Sequence, residues 1–168
     1  GAIWISGQKK NIENLFLESE LALAPEALTW RNLRFRRPDR KGTLQSEGSW
    51  NFAARPSLQG RLGFSELDLT PESGIPTNLF GELEIKGPLD DYRGRILLIN
   101  KVKGWANTDL SGEIRGNLRG IIMPNLNASW LDGKVGGGLG FSWADAMVLE
   151  GKLQGKNLNP GGFDPEWP

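Results

Sequence analysis

The chain has no cysteine and no histidine among its 168 residues. The first absence excludes disulfides and thiolate metal sites. The second removes the usual general base and the commonest neutral metal ligand. Net charge is absent too, with 20 basic residues against 20 acidic ones. A basic footprint for nucleic acid is therefore missing, and no nucleic-acid partner is expected. No apolar run approaches the ~20 residues that a membrane-crossing helix needs. No signal-peptide pattern opens the chain, and Gly1-Ala2 reads as a cleavage remnant. The sequence thus reads as a single excised β-rich piece, 1–168, of a longer repetitive protein, so missing targeting signals carry no weight. An enzyme is the least expected class: no catalytic residue, metal ligand or cofactor site is predicted.

Glycine is abundant, at 23 residues, and proline adds 10. The glycines open a recurring phrase of Gly, any residue, an apolar residue, any residue, then another apolar one. Copies are Gly48-Ser49-Trp50-Asn51-Phe52, Gly60-Arg61-Leu62-Gly63-Phe64, Gly81-Glu82-Leu83-Glu84-Ile85 and Gly94-Arg95-Ile96-Leu97-Leu98. Shorter copies begin at Gly112, Gly116, Gly133 and Gly151. Apolar residues two apart share one face of a strand, and the polar residues between them share the other. The pattern predicts strands over 14–24, 28–35, 43–54, 58–68, 79–87 and 93–103. Further strands fit 108–115, 117–123, 125–131, 134–143 and 146–155. A helix over 11–24 competes with the first, since Leu and Glu also favour helices; the clean period of two around Ser19 decides for a strand. A bulge is expected near Asn32. Arg37-Pro38-Asp39-Arg40-Lys41-Gly42 reads as a turn, and Asp132-Gly133 as a tight hairpin. Gly136-Gly137-Gly138, lacking any phosphate-loop ending, reads as a kink. Almost no helix is predicted.

A longer period accompanies the phrase. Gly42 and Gly133 are 91 positions apart, as are Gly60 and Gly151. Each copy reaches a polar-Leu-polar-Pro phrase, at Asp68–Pro71 and Asn157–Pro160, with a slip of two residues. An internal repeat of 42–76 in 133–164 is the expectation.

Trp50, Phe52, Leu62, Phe64, Leu83, Ile85, Ile96, Leu98, Ile114, Leu118, Val135, Leu139, Phe141 and Leu153 hold matching parity within their strands. Two readings follow: the filled core of a sandwich or barrel, or the wall of an open groove holding acyl chains or unfolded strands. Open edges invite a further strand, or an edge-to-edge dimer. Arg31, Arg34, Arg36 and Arg37, continued by Arg40 and Lys41, are candidates for lipid headgroups or a membrane surface; a solvated turn competes. Asp90-Asp91 are adjacent turn formers rather than a glycosidase pair. Trp130 and Trp143 flank the expected hairpin and are candidates to pack across it.

The closing stretch, from Leu149-Glu150-Gly151-Lys152-Leu153 through Asn157-Leu158-Asn159-Pro160-Gly161 to Pro165-Glu166-Trp167-Pro168, resembles a recurring element of the TamB family. TamB proteins are periplasmic subunits of the translocation and assembly module of diderm bacteria and belong to the AsmA-like superfamily. The segment from Leu67-Asp68-Leu69-Thr70-Pro71 to Gly81–Gly87 looks like a degenerate copy without Trp-Pro. The resemblance covers 42–168. It implies an all-β, elongated, curved sheet bent into a trough with a hydrophobic interior, in the periplasm, anchored in the inner membrane by other parts of the protein. The implied cargo is phospholipid or nascent outer-membrane β-strands, and the implied partner is a TamA-like outer-membrane protein of the BamA type. The resemblance carries no catalytic residues. The reading from a different class is a carbohydrate-binding or adhesin-like sandwich with a filled core and exposed tryptophans.

Overall fold

The computed structural model describes residues 3–10, 16–36, 41–144, 146–159 and 161, with the backbone alone at 3–10, Phe16 and Glu72. It is one open antiparallel sheet of eleven strands, ordered as in the sequence. The strands are β1 (Ile3–Lys10), β2 (Phe16–Ala24), β3 (Ala27–Arg36), β4 (Thr43–Asn51), β5 (Ser57–Leu67) and β6 (Leu79–Pro88). They continue as β7 (Tyr92–Asn100), β8 (Thr108–Asn117), β9 (Gly120–Trp130), β10 (Gly133–Ser142) and β11 (Val148–Lys156). One short helix, α1 (Thr70–Ser73), interrupts the meander between β5 and β6. Pro71 lies in its first turn, where a missing N–H costs nothing, and the helix stops at Gly74 in the left-handed conformation (φ 71°).

Residues directly opposite in an antiparallel pair lie on the same face. The registers therefore carry one face from β4 to β11. From Ser46 it runs through Leu62, Leu83, Ile96, Gly112, Leu126 and Gly137 to Leu153. A second row runs through Trp50, Leu58 and Gly87. The opposite face carries Glu47, Arg61, Glu84, Arg95 and Glu113 in one row. The alternation seen in the sequence thus becomes one apolar wall and one charged wall.

The sequence and the sheet differ in four places. β1 was not anticipated; it pairs with β2 through Ile3↔Leu23 and Ile5↔Leu21. The segments 117–123 and 125–131 are one strand, β9, because Pro124 sits where β9 carries an extra residue against both neighbours. A bulged position need not donate to a ladder, so proline is tolerated there. The hairpin after β9 turns on Leu131 and Asp132, both at positive φ (48° and 62°), one residue earlier than expected. Trp130 and Trp143 do not meet: they stand at opposite ends of β10, which pairs Gly133 with Trp130 and Phe141 with Ile121. The bulge expected near Asn32 is present, with φ 51° at Asn32 and a register shift between Trp30 and Leu33. The turn at 37–40 and the Pro-Glu-Trp-Pro phrase lie outside the described residues.

Among the described residues no second layer packs on the sheet, so a sandwich with a filled core is not the fold. Among the described residues no large side chain is wholly buried. The best-covered apolar residues of the wall are Ile114 and Leu126, each at 3 % exposure. Ile114 lies opposite Gly94, and Leu126 lies between Gly112 and Gly137.

Candidate functional site: an uncovered apolar face

The glycines of the recurring phrase lie on the apolar face, level with the aliphatic residues that follow them. Their role is to leave notches for large neighbours. The Trp30 indole lies over Gly48 and Gly60, and the Phe64 ring over Gly81. Met123 fills the notch at Gly112, Tyr92 that at Gly116, and Leu139 that at Gly151. At these six glycines a neighbouring side chain supplies the bulk, whereas Gly94 and Gly133 are approached by backbone; the wall packs sideways within one layer. Burial of its ring pushes the Tyr92 phenol above the ordinary tyrosine range.

The predicted groove residues fall on this face, with two corrections. Phe52 lies beyond the end of β4, where its N–H donates to Glu26 O (2.9 Å) and its ring meets Trp50 edge-on at 5.8 Å. Leu118 lies in the turn after β8, and its carbonyl accepts the Trp143 indole N–H at 2.9 Å. Both kept the right parity but are past the last paired residue, where the pleat no longer fixes side-chain direction.

The two ends of the wall differ. At one end, two loops fold toward the apolar face around Asn100, a buried polar residue at 6 % exposure. Its Nδ2 donates to Pro76 O (3.0 Å) and Ala106 O (2.8 Å), and its Oδ1 accepts the Asn78 N–H (2.8 Å). The Trp130 indole N–H reaches the Trp105 carbonyl nearby at 2.6 Å. The opposite end carries a fringe of exposed apolar groups: Leu23, Trp50, Phe52, Leu118, Trp143, Met147 and Leu149. There Phe141 and Trp143 stack tilted at 5.6 Å, in the manner of Trp50 and Phe52. Sequence reading missed Asn100 and the glycine notches, because both depend on which strands stand side by side.

The other face is ionic. Arg61 on β5 bonds Glu82 (2.6 Å) and approaches Glu84 (3.7 Å) on β6, and Arg95 on β7 bonds Glu84 (2.7 Å). The hydrogen bond from Arg95, followed by its charge, holds the Glu84 carboxyl below its ordinary range. Around these residues lies an open depression of about 840 Å³, walled also by Arg31, Glu47, Lys86 and Arg93. Arg31, Arg34 and Arg36 are exposed here; Arg31 stands opposite Glu20 and Arg34 opposite Glu18. Arg37 lies outside the described residues. Asp90 and Asp91 form the β6–β7 turn, and Asp90 pairs with Arg55 at 3.3 Å.

No family model, no curated protein and no solved structure matches the chain.

Proposed function

We propose that the chain is a non-enzymatic segment of a TamB-like envelope protein whose apolar wall lines a trough for phospholipid tails or unfolded outer-membrane strands in the periplasm. One observation carries the reading: the face that the registers carry from β4 to β11 bears the apolar residues, and among the described residues no second layer covers it. Apolar surface left in water costs about 25 cal/mol per Å², and large exposed patches mark binding sites. Strands of nine to eleven residues span about 30–37 Å, long enough to lie along the whole of an extended acyl chain. The loops around Asn100 close one end of the face, and the aromatic fringe at the other end is its mouth. Trp50, Leu62, Phe64, Leu83, Ile85, Ile96, Leu98, Ile114, Val135, Leu139, Phe141 and Leu153 are the contact residues. Arg31, Arg34 and Arg36 on the opposite wall are the candidates for contact with headgroups at a membrane surface. A TamA-like protein is the partner, through other parts of the full protein.

The test is mass spectrometry of the organic extract from the chain purified out of a diderm host. Phospholipid near one molecule per chain supports the reading, and its loss in Ile96→Glu but not in Leu97→Glu locates the site. Leu97 is the control because it is exposed on the charged face. Extracts no richer in lipid than those of a matched β-protein overturn it for lipid. Failure to photocrosslink an unfolded outer-membrane strand from Leu83 overturns it for protein cargo.

A further inference from the structure

Two hairpins of the sheet are built alike. Thr43 pairs with Ser65 and Asn51 with Ser57; Lys134 pairs with Lys156 and Ser142 with Val148. Each residue of the second set lies 91 positions after its counterpart, so β4–β5 and β10–β11 share one register. The likeness extends to detail. Trp50 and Phe52 meet at 5.8 Å, and their counterparts Phe141 and Trp143 at 5.6 Å. Glu66 and Asn157, also counterparts, both turn left-handed, at φ 53° and 54°. The outer edge of β5 is occupied by β6. The outer edge of β11 pairs with no strand among the described residues, and all of β11 is exposed.

We propose that the outer edge of β11 accepts one further antiparallel strand of stated chemistry: Glu-apolar-Glu-apolar-Lys, as in β6, its apolar residues continuing the wall. The known β5–β6 register fixes the match. There Leu62 faces Leu83, Arg61 faces Glu84, Gly60 faces Ile85 and Gln59 faces Lys86. On β11 the corresponding positions are Leu153, Lys152, Gly151 and Glu150. Lys152 meets the incoming glutamate, as Arg61 does. Glu150 meets the incoming lysine, a pairing that Gln59 makes without charge. Gly151 meets a branched aliphatic, as Gly60 does. On its inner side Lys152 faces only Gly138, so its charge is left for the outer neighbour. The edge is therefore selective as well as sticky: backbone groups supply the adhesion, and the alternating charges set the register. This inference stands whether or not the wall carries lipid.

A labelled peptide spanning residues 78–89 is the probe, with the full chain as receptor. Saturable binding is expected by anisotropy, together with slowed hydrogen exchange in β11 and unchanged exchange in β5. Lys152→Glu, an exposed edge substitution, weakens binding about 3- to 10-fold at low salt. The peptide carrying Glu84→Lys binds the Lys152→Glu chain better than it binds the unaltered one. Three results would overturn the proposal: no saturable binding, protection of β1 in place of β11, or concentration-dependent self-pairing of β11 that the peptide cannot displace.

Discussion

Gly48→Ala is the sharpest probe of the notched wall. A methyl group at Gly48 would overlap the Gln59 carbonyl and the Trp30 ring, and would come within 2.8 Å of the Gly60 Cα. Two of those obstacles are backbone, held by the β4–β5 ladder, so the strands or the indole must move. Overpacking of this kind costs about 1–3 kcal/mol. The reduced freedom of the unfolded chain returns about 0.4–1 kcal/mol where the native backbone suits alanine. A net loss of about 1–2 kcal/mol remains, or about 2–8 °C in Tm for a chain of this size. Gly60→Ala is gentler: its methyl would lie 3.4 Å from the same ring and 3.5 Å from the Glu47 carbonyl. Gly63→Ala, on the charged face of β5, meets nothing within 4 Å and should be neutral or slightly stabilising. Thermal unfolding followed by circular dichroism ranks the three. Trp30→Leu in the Gly48→Ala background should recover part of the loss, since it removes the ring, and the coupling is read as a double-mutant cycle. Equal Tm values for Gly48→Ala and Gly63→Ala, or a loss that Trp30→Leu does not relieve, would refute the account of the glycines as notches.

Other consequences are as direct. Asn100→Leu strands the Asn78 N–H and two loop carbonyls and should cost about 2–4 kcal/mol in urea unfolding, with faster exchange in 76–78 and 104–107. The Glu84 carboxyl has a depressed native pKa, so its contribution is complete above the ordinary value of 4.5 and fades as pH falls through the lower native one. Tm should therefore drop below about pH 4.5, and less so in Arg95→Leu, whose hydrogen bond causes the shift. Leu131→Asn with Asp132→Gly replaces two residues at positive φ by the pair that such turns prefer; a gain of about 1 kcal/mol is expected in the same assay.

Strand positions were legible because the period of two survives in nearly every segment, from Leu17-Glu18-Ser19-Glu20-Leu21 to Gly151-Lys152-Leu153. The exceptions have local causes. In β1 the alternation fades at Gly7-Gln8-Lys9-Lys10, and only pairing with β2 makes the segment a strand. Pro124 looked like a boundary because a proline cannot donate, yet a bulge removes that demand. In the sequence the glycines mark only where each phrase begins. Their part as notches was illegible, because a notch is defined by the residue across the ladder, and register is not written in local sequence. The same holds for Arg31 and Arg34, a basic cluster in the sequence that stands against Glu20 and Glu18 in the sheet. The candidate wall was legible as parity and failed at Phe52 and Leu118, where parity outlives the strand.

Strand order that follows chain order has a mechanical consequence. The first and last strands lie at opposite edges, about 48 Å apart if the sheet were flat. Tension between them runs along the hydrogen bonds and loads the ladders in series, so each ladder carries the same force and the weakest one parts first. Each released strand of nine residues pays out about 30 Å of slack. Tension along the strands instead shears all hydrogen bonds of a ladder together, and the wall resists. The sheet is thus compliant across its width and stiff along its strands.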